Sequence, residues 1–348
     1  MRAAVFDRFG PPSVLRVADL PDPVPGPGEI RVRVRAAGVQ PFDVAFRRGS
    51  LARDRASFPQ QVGQEYAGVI DLLGPPVSSL AGGDSPAAGH AGGSAPPAVG
   101  DASGAPPAAG HAGGGVPSAL GPVGGGIPLA VGDAVLGSTM FNGQASAVVV
   151  SAFDAVRKPD HLDFPTAAGL VAAAQTASGA LRELDVRAGD VLLIHAAAGS
   201  VGTLATQLAR LAGATVIGTA SPANHDYLRQ IGAIPVPYGE NLPHSVRLLA
   251  KRLPTVVLDA AGGEAIAQSV ELGVPPDRIG TIVAPSHGAR VVRSPRDPAR
   301  LAEVVELAAR GVLSLPIRAY PLADVAAAHA AVESRHGRGK VVLIMESA

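Results

Sequence analysis

The strongest chemical signal in the chain is a run of small residues, Ala197-Ala198-Gly199-Ser200-Val201-Gly202, spaced Ala-x-Gly-x-x-Gly. The spacing suits a turn from a strand into a helix. Gly199 would permit the tight turn and let backbone approach a pyrophosphate, and Gly202 would let the helix pack closely on the strand. Free N–H groups and the positive end of the dipole at a helix N-terminus favour phosphate. Ala198, Gly199, Ser200, Val201 and Gly202 are therefore candidate residues of a dinucleotide cradle.

The end of the next strand tests which dinucleotide. It reads Ile217-Gly218-Thr219-Ala220-Ser221. A carboxylate there would hold the ribose 2′-OH of NAD. None is present. Ser221, Asn224 and His225 follow instead, and small polar or basic groups suit a 2′-phosphate. The segment predicts NADPH rather than NADH. Asn224 also stands where it would cap the helix ahead of Asp226 and Tyr227.

Other chemistries find little support. The chain has no Cys, which excludes disulfides, thiolate nucleophiles and zinc sites built on Cys. There is no Ser-His-Asp order and no G-x-S-x-G elbow, so a hydrolase is not indicated. His161, His244, His287, His329 and His336 show no paired metal spacing and are expected to be solvated or capping. His195, just ahead of the cradle, is expected to be structural or close to the cofactor.

The elements that must position the cradle follow from periodicity. Val191–Ile194 is a continuous apolar run, the mark of a strand buried on both faces. A helix from Thr203 to Ala212 follows. Then come strand Thr215–Thr219, helix His225–Ile231, a short strand at Val236, helix Leu242–Leu253, and strands Thr255–Leu258 and Thr281–Val283. This alternation predicts a doubly wound parallel sheet. Ahead of it, Ala167–Leu181 is Ala-rich and helix-like. Residues 1–74 read as β-rich. Arg31-Val32-Arg33-Val34-Arg35 alternates as a half-buried strand, and Val69–Leu73 is another. Ala134–Gly137 and Ala145–Val150 are read as strand partners. The C-terminal region resumes mixed structure, with helices Pro298–Gly311 and Leu322–Glu333 and strand Lys340–Ile344.

The chain of 348 residues carries 29 Lys+Arg against 29 Asp+Glu and is 47% hydrophobic. The length suits two domains. The charge balance argues against a nucleic-acid partner, and no apolar run is long enough for a membrane-spanning helix. With no targeting segment at Met1–Phe6, a cytoplasmic location is expected. Gly and Pro crowd residues 75–127, where Pro-Ala-Ala-Gly-His-Ala-Gly-Gly occurs at 86–93 and again at 107–114. Such a segment cannot bury enough surface to offset its ordering entropy and reads as a disordered insertion, with His90 and His111 in matching places.

Taken together, His195–Gly202, Gly63-Gln64-Glu65-Tyr66-Ala67-Gly68, Ala37-Gly38-Val39-Gln40-Pro41-Phe42-Asp43 and Arg338-Gly339-Lys340-Val341-Val342-Leu343 resemble segments of the medium-chain dehydrogenases/reductases. The resemblance is to their zinc-independent, zeta-crystallin-like quinone oxidoreductase branch, and it extends over the chain apart from 75–127. It implies a GroES-like β-rich domain completed by the C-terminus, with a Rossmann doubly wound parallel-sheet domain between. The expected bounds are 1–173, 174–290 and 291–348. Where zinc-dependent relatives carry Cys and the His of G-H-E, this chain has Gln40 and Gln64. The resemblance therefore implies no metal, and hydride transfer from NADPH to a quinone or an α,β-unsaturated carbonyl as small-molecule substrate. An enoyl reductase of secondary metabolism shares every motif, and an NADPH-binding protein with little turnover is the non-enzymatic alternative. By resemblance, Gln40 and Asp43 line the substrate pocket. Thr176 lies near the nicotinamide and Tyr238 beside the adenosine. Val283 borders the nicotinamide, and Arg335 and Lys340 lie on the tail that approaches the cofactor. A homodimer is also a family expectation, although the stretch from Val283 to Pro298 is shorter than in many relatives.

Overall fold

The computed structural model describes residues 1–51, 57–75 and 129–346. The low-complexity segment expected at 75–127 lies outside them beyond Pro75. The N-terminal region runs β1 (Arg2–Phe6), β2 (Leu15–Asp19), β3 (Glu29–Val39), α1 (Pro41–Arg48), β4 (Gln60–Gln61) and β5 (Glu65–Leu73). It resumes with β6 (Ala134–Ser138), β7 (Ala147–Ser151) and β8 (Val156–Arg157), and leads into the long helix α2 (Phe164–Glu183). A parallel-sheet region follows: β9 (Val191–His195), α3 (Ser200–Leu211), β10 (Thr215–Ala220), α4 (His225–Gln230), β11 (Ile234–Pro237) and α5 (Leu242–Leu249). It continues with β12 (Val256–Asp259), α6 (Ala265–Glu271), β13 (Ile279–Thr281) and β14 (Arg290–Val291). The chain closes with α7 (Pro298–Ala309), β15 (Ile317–Pro321), α8 (Val325–Glu333) and β16 (Lys340–Ile344).

The second sheet has strand order β11-β10-β9-β12-β13-β14, every pair parallel. β9 is buried at every residue. Its alternate side chains serve two cores: Val191 and Leu193 face one way, and Leu192 and Ile194 face the other. That two-sided burial is why the sequence there is an unbroken apolar run. The strand order reverses beside β9, so the loops after β9, β10, β12 and β13 share the carboxyl edge of the sheet at its switch point.

The β-rich region is a seven-stranded sheet along β15-β16-β3-β5-β6-β8, with β7 added on β3, beside a small antiparallel sheet β2-β1-β4. β7 pairs with β3 and not with β6, which corrects the sequence reading. The reason is the length of β3. One edge of it pairs with β5, while the other accommodates β7 along Glu29–Arg33 and β16 along Ala36–Val39, end to end. β16 thereby brings the C-terminus back into the first sheet. α2 is buried along most of its length by alanines, glycines and leucines, and small side chains let it lie against β3 and β5 on one side and α3 and α7 on the other.

Three sequence readings are corrected here, two at element ends and one in the core. α5 stops at Leu249, where Ala250 turns extended. β13 ends at Thr281: its hydroxyl accepts the Val283 amide at 3.0 Å and curls the chain away from the sheet. His329 is fully buried, not solvated. Among the described residues, no helix is long and apolar enough to cross a membrane.

Candidate active site

β9 delivers the chain to a turn in which Ala196, not Gly199, adopts the left-handed conformation, with φ 57° against φ −71° for Gly199. The turn is pinned to β10, because the amides of Ala196 and Ala197 donate to the side-chain and main-chain oxygens of Thr219 at 3.1 and 3.0 Å. Gly199 is the N-cap of α3 and has no side chain to cap it. The first closed helical bond runs from Thr203 N–H to the Gly199 carbonyl at 2.8 Å. The amides of Ser200, Val201 and Gly202 are thus first-turn donors without an intrahelical partner, at the positive end of a 12-residue helix. A Cβ on Gly202 would stand 2.5 Å from the Ala196 carbonyl oxygen, so only glycine permits this approach of helix to strand. The donor set, the uncapped terminus and this glycine fit a bound pyrophosphate.

The C-terminal tail meets this loop. Gly339 N–H donates to the Ala198 carbonyl at 2.9 Å, and the Arg338 guanidinium stands 5.0 Å over the ring of Tyr227. Tyr227 in turn exchanges a hydrogen bond with Thr203 of α3 at 3.1 Å. Gly339, with φ 68°, sits where a Cβ would strike the Pro316 carbonyl at 2.0 Å. Arg338 is thus the tail arginine beside the loop, a residue that the closing R-G-K phrase contained but sequence reasoning passed over. Arg335 is exposed at φ 56°. Lys340 is buried and ion-paired with the buried Glu65, so its amine is committed to the interior.

At the end of β10, Asn224 Nδ2 donates to Ser221 Oγ at 3.2 Å and makes no side-chain cap, which corrects that reading. His225 Nε2 lies 3.2 Å from the Ala220 carbonyl, which fixes it as the protonated nitrogen and leaves Nδ1 as an acceptor in the neutral ring. The first carboxylate after the strand, Asp226, is exposed and turned to Arg229 at 2.5 Å. Tyr238, after β11, is 62% exposed. After β12, the buried carboxylate of Asp259 accepts from the Ala261 and Gly262 amides at 2.9 Å and from the Thr281 hydroxyl at 2.8 Å. It ties the loop after β12 to the end of β13 and sets exposed Val283 beside Gly262. His195 is buried against Ser269 Oγ at 2.8 Å, and burial pulls its pKa down to about 4 against the pull of the Asp259 charge. A neutral structural histidine follows.

On the β-rich side, Gln40 caps α1. Its amide donates to Asp43 Oδ2 at 3.0 Å, and its side-chain Nε2 donates to Gln64 Oε1 at 3.0 Å. Asp43 is buried beneath this turn, also receives Gln144 Nε2 at 3.4 Å, and is pushed up to about 7 by burial. Gln144 carries the network on to His329 at 3.0 Å. Thr176 is half-buried on α2, next to Gln175, whose side chain joins Ser138 of β6 to the Asp297 amide at 3.0 and 2.9 Å. The structure thus gathers Ala198–Gly202 and the tail at the carboxyl edge of the parallel sheet, together with Ser221, Asn224, His225 and Val283. It pairs Gln40 with Gln64 in the β-rich domain, and withdraws Asp43 and Lys340 into the interior. Among the described residues, no group of three or more His, Asp or Glu stands together as a metal site.

Comparison with known proteins agrees with this fold. Residues 26–175 match the alcohol dehydrogenase GroES-like domain, and residues 245–343 match the zinc-binding dehydrogenase domain. Together the two matches take in more than two thirds of the chain, on either side of the cradle. The chain belongs to the zinc-independent medium-chain dehydrogenases/reductases. Within this family, a quinone oxidoreductase of Pseudomonas aeruginosa is 27% identical over 97% of this chain and 98% of its own length. A spectinabilin polyketide synthase system protein of Streptomyces orinoci is 32% identical over 92% of this chain, which spans 13% of that relative. The solved quinone oxidoreductase of Coxiella burnetii superposes with TM-score 0.77 at 26% identity, covering 99% of both chains. A mycobacterial protein solved with NADPH gives TM-score 0.76 at 25% identity, covering 99% of both chains.

Proposed function

We propose that this protein transfers hydride from NADPH to a quinone or to an α,β-unsaturated carbonyl compound. The observation that carries the reading is the uncapped N-terminus of α3, with its three outward amides at the carboxyl edge of the parallel sheet. Bound there, NADPH supplies two electrons as hydride from its nicotinamide. The chain's residues do the holding. Ser200, Val201 and Gly202 donate to the pyrophosphate, and Ser221, Asn224 and His225 face the 2′-phosphate. Tyr238 covers the adenosine, while Thr176 and Val283 flank the nicotinamide. Gln40 borders the substrate pocket, and Asp43 fixes the backbone of Gln40 from below. The single proton that completes the acceptor's reduction comes from water. The family's homodimer is part of the same reading.

Carbon–carbon reduction of a carrier-borne or free enoyl thioester is the second reading, favoured by the 32% identity to a polyketide synthase system protein over 92% of this chain. The test is steady-state turnover with NADPH or NADH and either p-benzoquinone or a 2-enoyl thioester. The proposal expects saturable NADPH consumption with at least one acceptor and a preference over NADH of at least tenfold in kcat/KM. Equal use of NADH would remove the 2′-phosphate role of Ser221, Asn224 and His225.

A further inference from the structure

Gln64 carries an amide whose hydrogens are largely unspent. Gln40 occupies its Oε1, and its Nε2 faces the thioether sulfur of Met140 at 3.8 Å, a weak acceptor that an oxygen would displace. The backbone beneath is held firmly. The Gln64 carbonyl accepts from the Thr139 amide at 2.9 Å, and the adjacent Glu65 carboxylate accepts from Ala172 N–H of α2 at 2.8 Å while pairing with Lys340. Two apolar side chains here remain open to solvent: Met140, which meets the Gln64 amide, is 45% exposed, and Phe42, in the first turn of α1 after Gln40, is 39% exposed. Phe141 packs its ring 5.9 Å from that of Phe42 and 4.2 Å from that of Phe46, and holds φ 62°, unusual for so bulky a residue. One oriented donor set among aromatic and thioether surfaces is the arrangement that recognises the carbonyl of a flat, conjugated molecule.

We propose that Gln64 determines specificity for the acceptor by donating its amide N–H to the acceptor's carbonyl oxygen, with Gln40 as the positioning residue and Phe42 and Phe141 against the acceptor's planar face. The inference rests on the proposed hydride transfer, which names the acceptor class. When hydride adds to a conjugated acceptor, the displaced electron pair collects on that oxygen until water protonates it. A donor there is stronger in the transition state than in the ground state, so its loss falls on kcat.

The experiment uses the full chain saturated with NADPH, p-benzoquinone and a 2-enoyl thioester as acceptors, and the variants Gln64→Met, Gln64→Glu and Gln40→Met. Gln64→Met is expected to lower kcat about a hundredfold while NADPH affinity and Tm stay at wild-type values. Gln40→Met is expected to lower kcat about tenfold, because the Gln64 amide is then free to rotate. Gln64→Glu supplies a signature that scaffolding would not: its kcat rises toward acid pH, where the new carboxyl is protonated and donates, and falls as it ionises. Wild-type kcat and KM in Gln64→Met, or a pH-independent loss in Gln64→Glu with lowered Tm, overturns the proposal. If the wild-type protein binds NADPH and consumes neither acceptor, the hydride-transfer reading itself has failed and the role of Gln64 falls with it.

Discussion

Asp43 sits where ionisation is costly, and that cost sets its expected behaviour. Buried beneath the α1 cap, its pKa is pushed up to about 7 from an ordinary 3.8. Between those values the folded chain binds the proton and the unfolded chain does not, so stability falls as pH rises toward neutrality, and the cost is complete above about 7. Asp43→Asn keeps an acceptor for the Gln40 amide and removes that cost. Its Tm is expected to gain on wild type by several degrees between pH 5 and pH 8. Parallel Tm curves would contradict this placement of the carboxyl. His329 runs in the opposite direction. Burial, aided by the nearby Arg47 charge, pulls its pKa down to about 3 from 6.5, so its contribution is complete above pH 6.5 and is lost as pH falls toward 3. Circular-dichroism melts of His329→Gln should show a shallower acid limb than wild type. Lys340 offers a third check. Removing the amine leaves Glu65 charged and buried, so Lys340→Met is expected to cost about 3–5 kcal/mol in denaturant unfolding, and Glu65→Gln on top of it to recover much of that loss. None of these burials was legible in the sequence. Asp43 and Lys340 were placed by their motifs, and a motif gives position along the chain without saying whether a side chain turns to the cleft or to the core.

At the scale of elements, the segments with strong periodicity were readable and those defined by pairing were not. The apolar run of β9, the cradle and α3 followed from local pattern, and β16 was placed to the residue. The pairing of β7 escaped, because it depends on β3 being long enough to hold two strands along one edge. β13 was shifted because Ile282 and Val283 look like strand, while the Thr281 hydroxyl that turns them out is a tertiary feature. The turn from β9 into α3 was read, although its left-handed residue is Ala196 and not Gly199. This geometry gives a prediction for α3. In Gly202→Ala the new methyl meets the backbone of Ala196 and Ala197 at 2.5 and 2.6 Å and has to push the helix off its strand. NADPH affinity measured by fluorescence titration is expected to fall at least tenfold, with Tm also lowered. Unchanged affinity would show that the first turn of α3 does not hold the phosphates.

Across the whole molecule, two sheets built on different principles share one chain. The parallel sheet offers its carboxyl edge, and the β-rich sheet holds Gln40 and Gln64. They are tied together by α2 and by the Gly339–Ala198 bond, so the tail that completes the first sheet also touches the loop after β9 of the second. The resemblance in four short segments was enough to foresee this architecture, since each segment lies at a junction the architecture needs. The surroundings of Gln64 were not foreseeable, because Gln64 meets Met140 only through the loop after β6. The most direct test of the account is an anaerobic single turnover with NADPH carrying deuterium at the transferred position, offered a 2-enoyl thioester and p-benzoquinone separately. The account predicts oxidation of one NADPH for each acceptor reduced. A reduced thioester would carry one deuterium on carbon, and reduction of the quinone would be slowed by the label. Bound NADPH that stays reduced while both acceptors are recovered unchanged would contradict it.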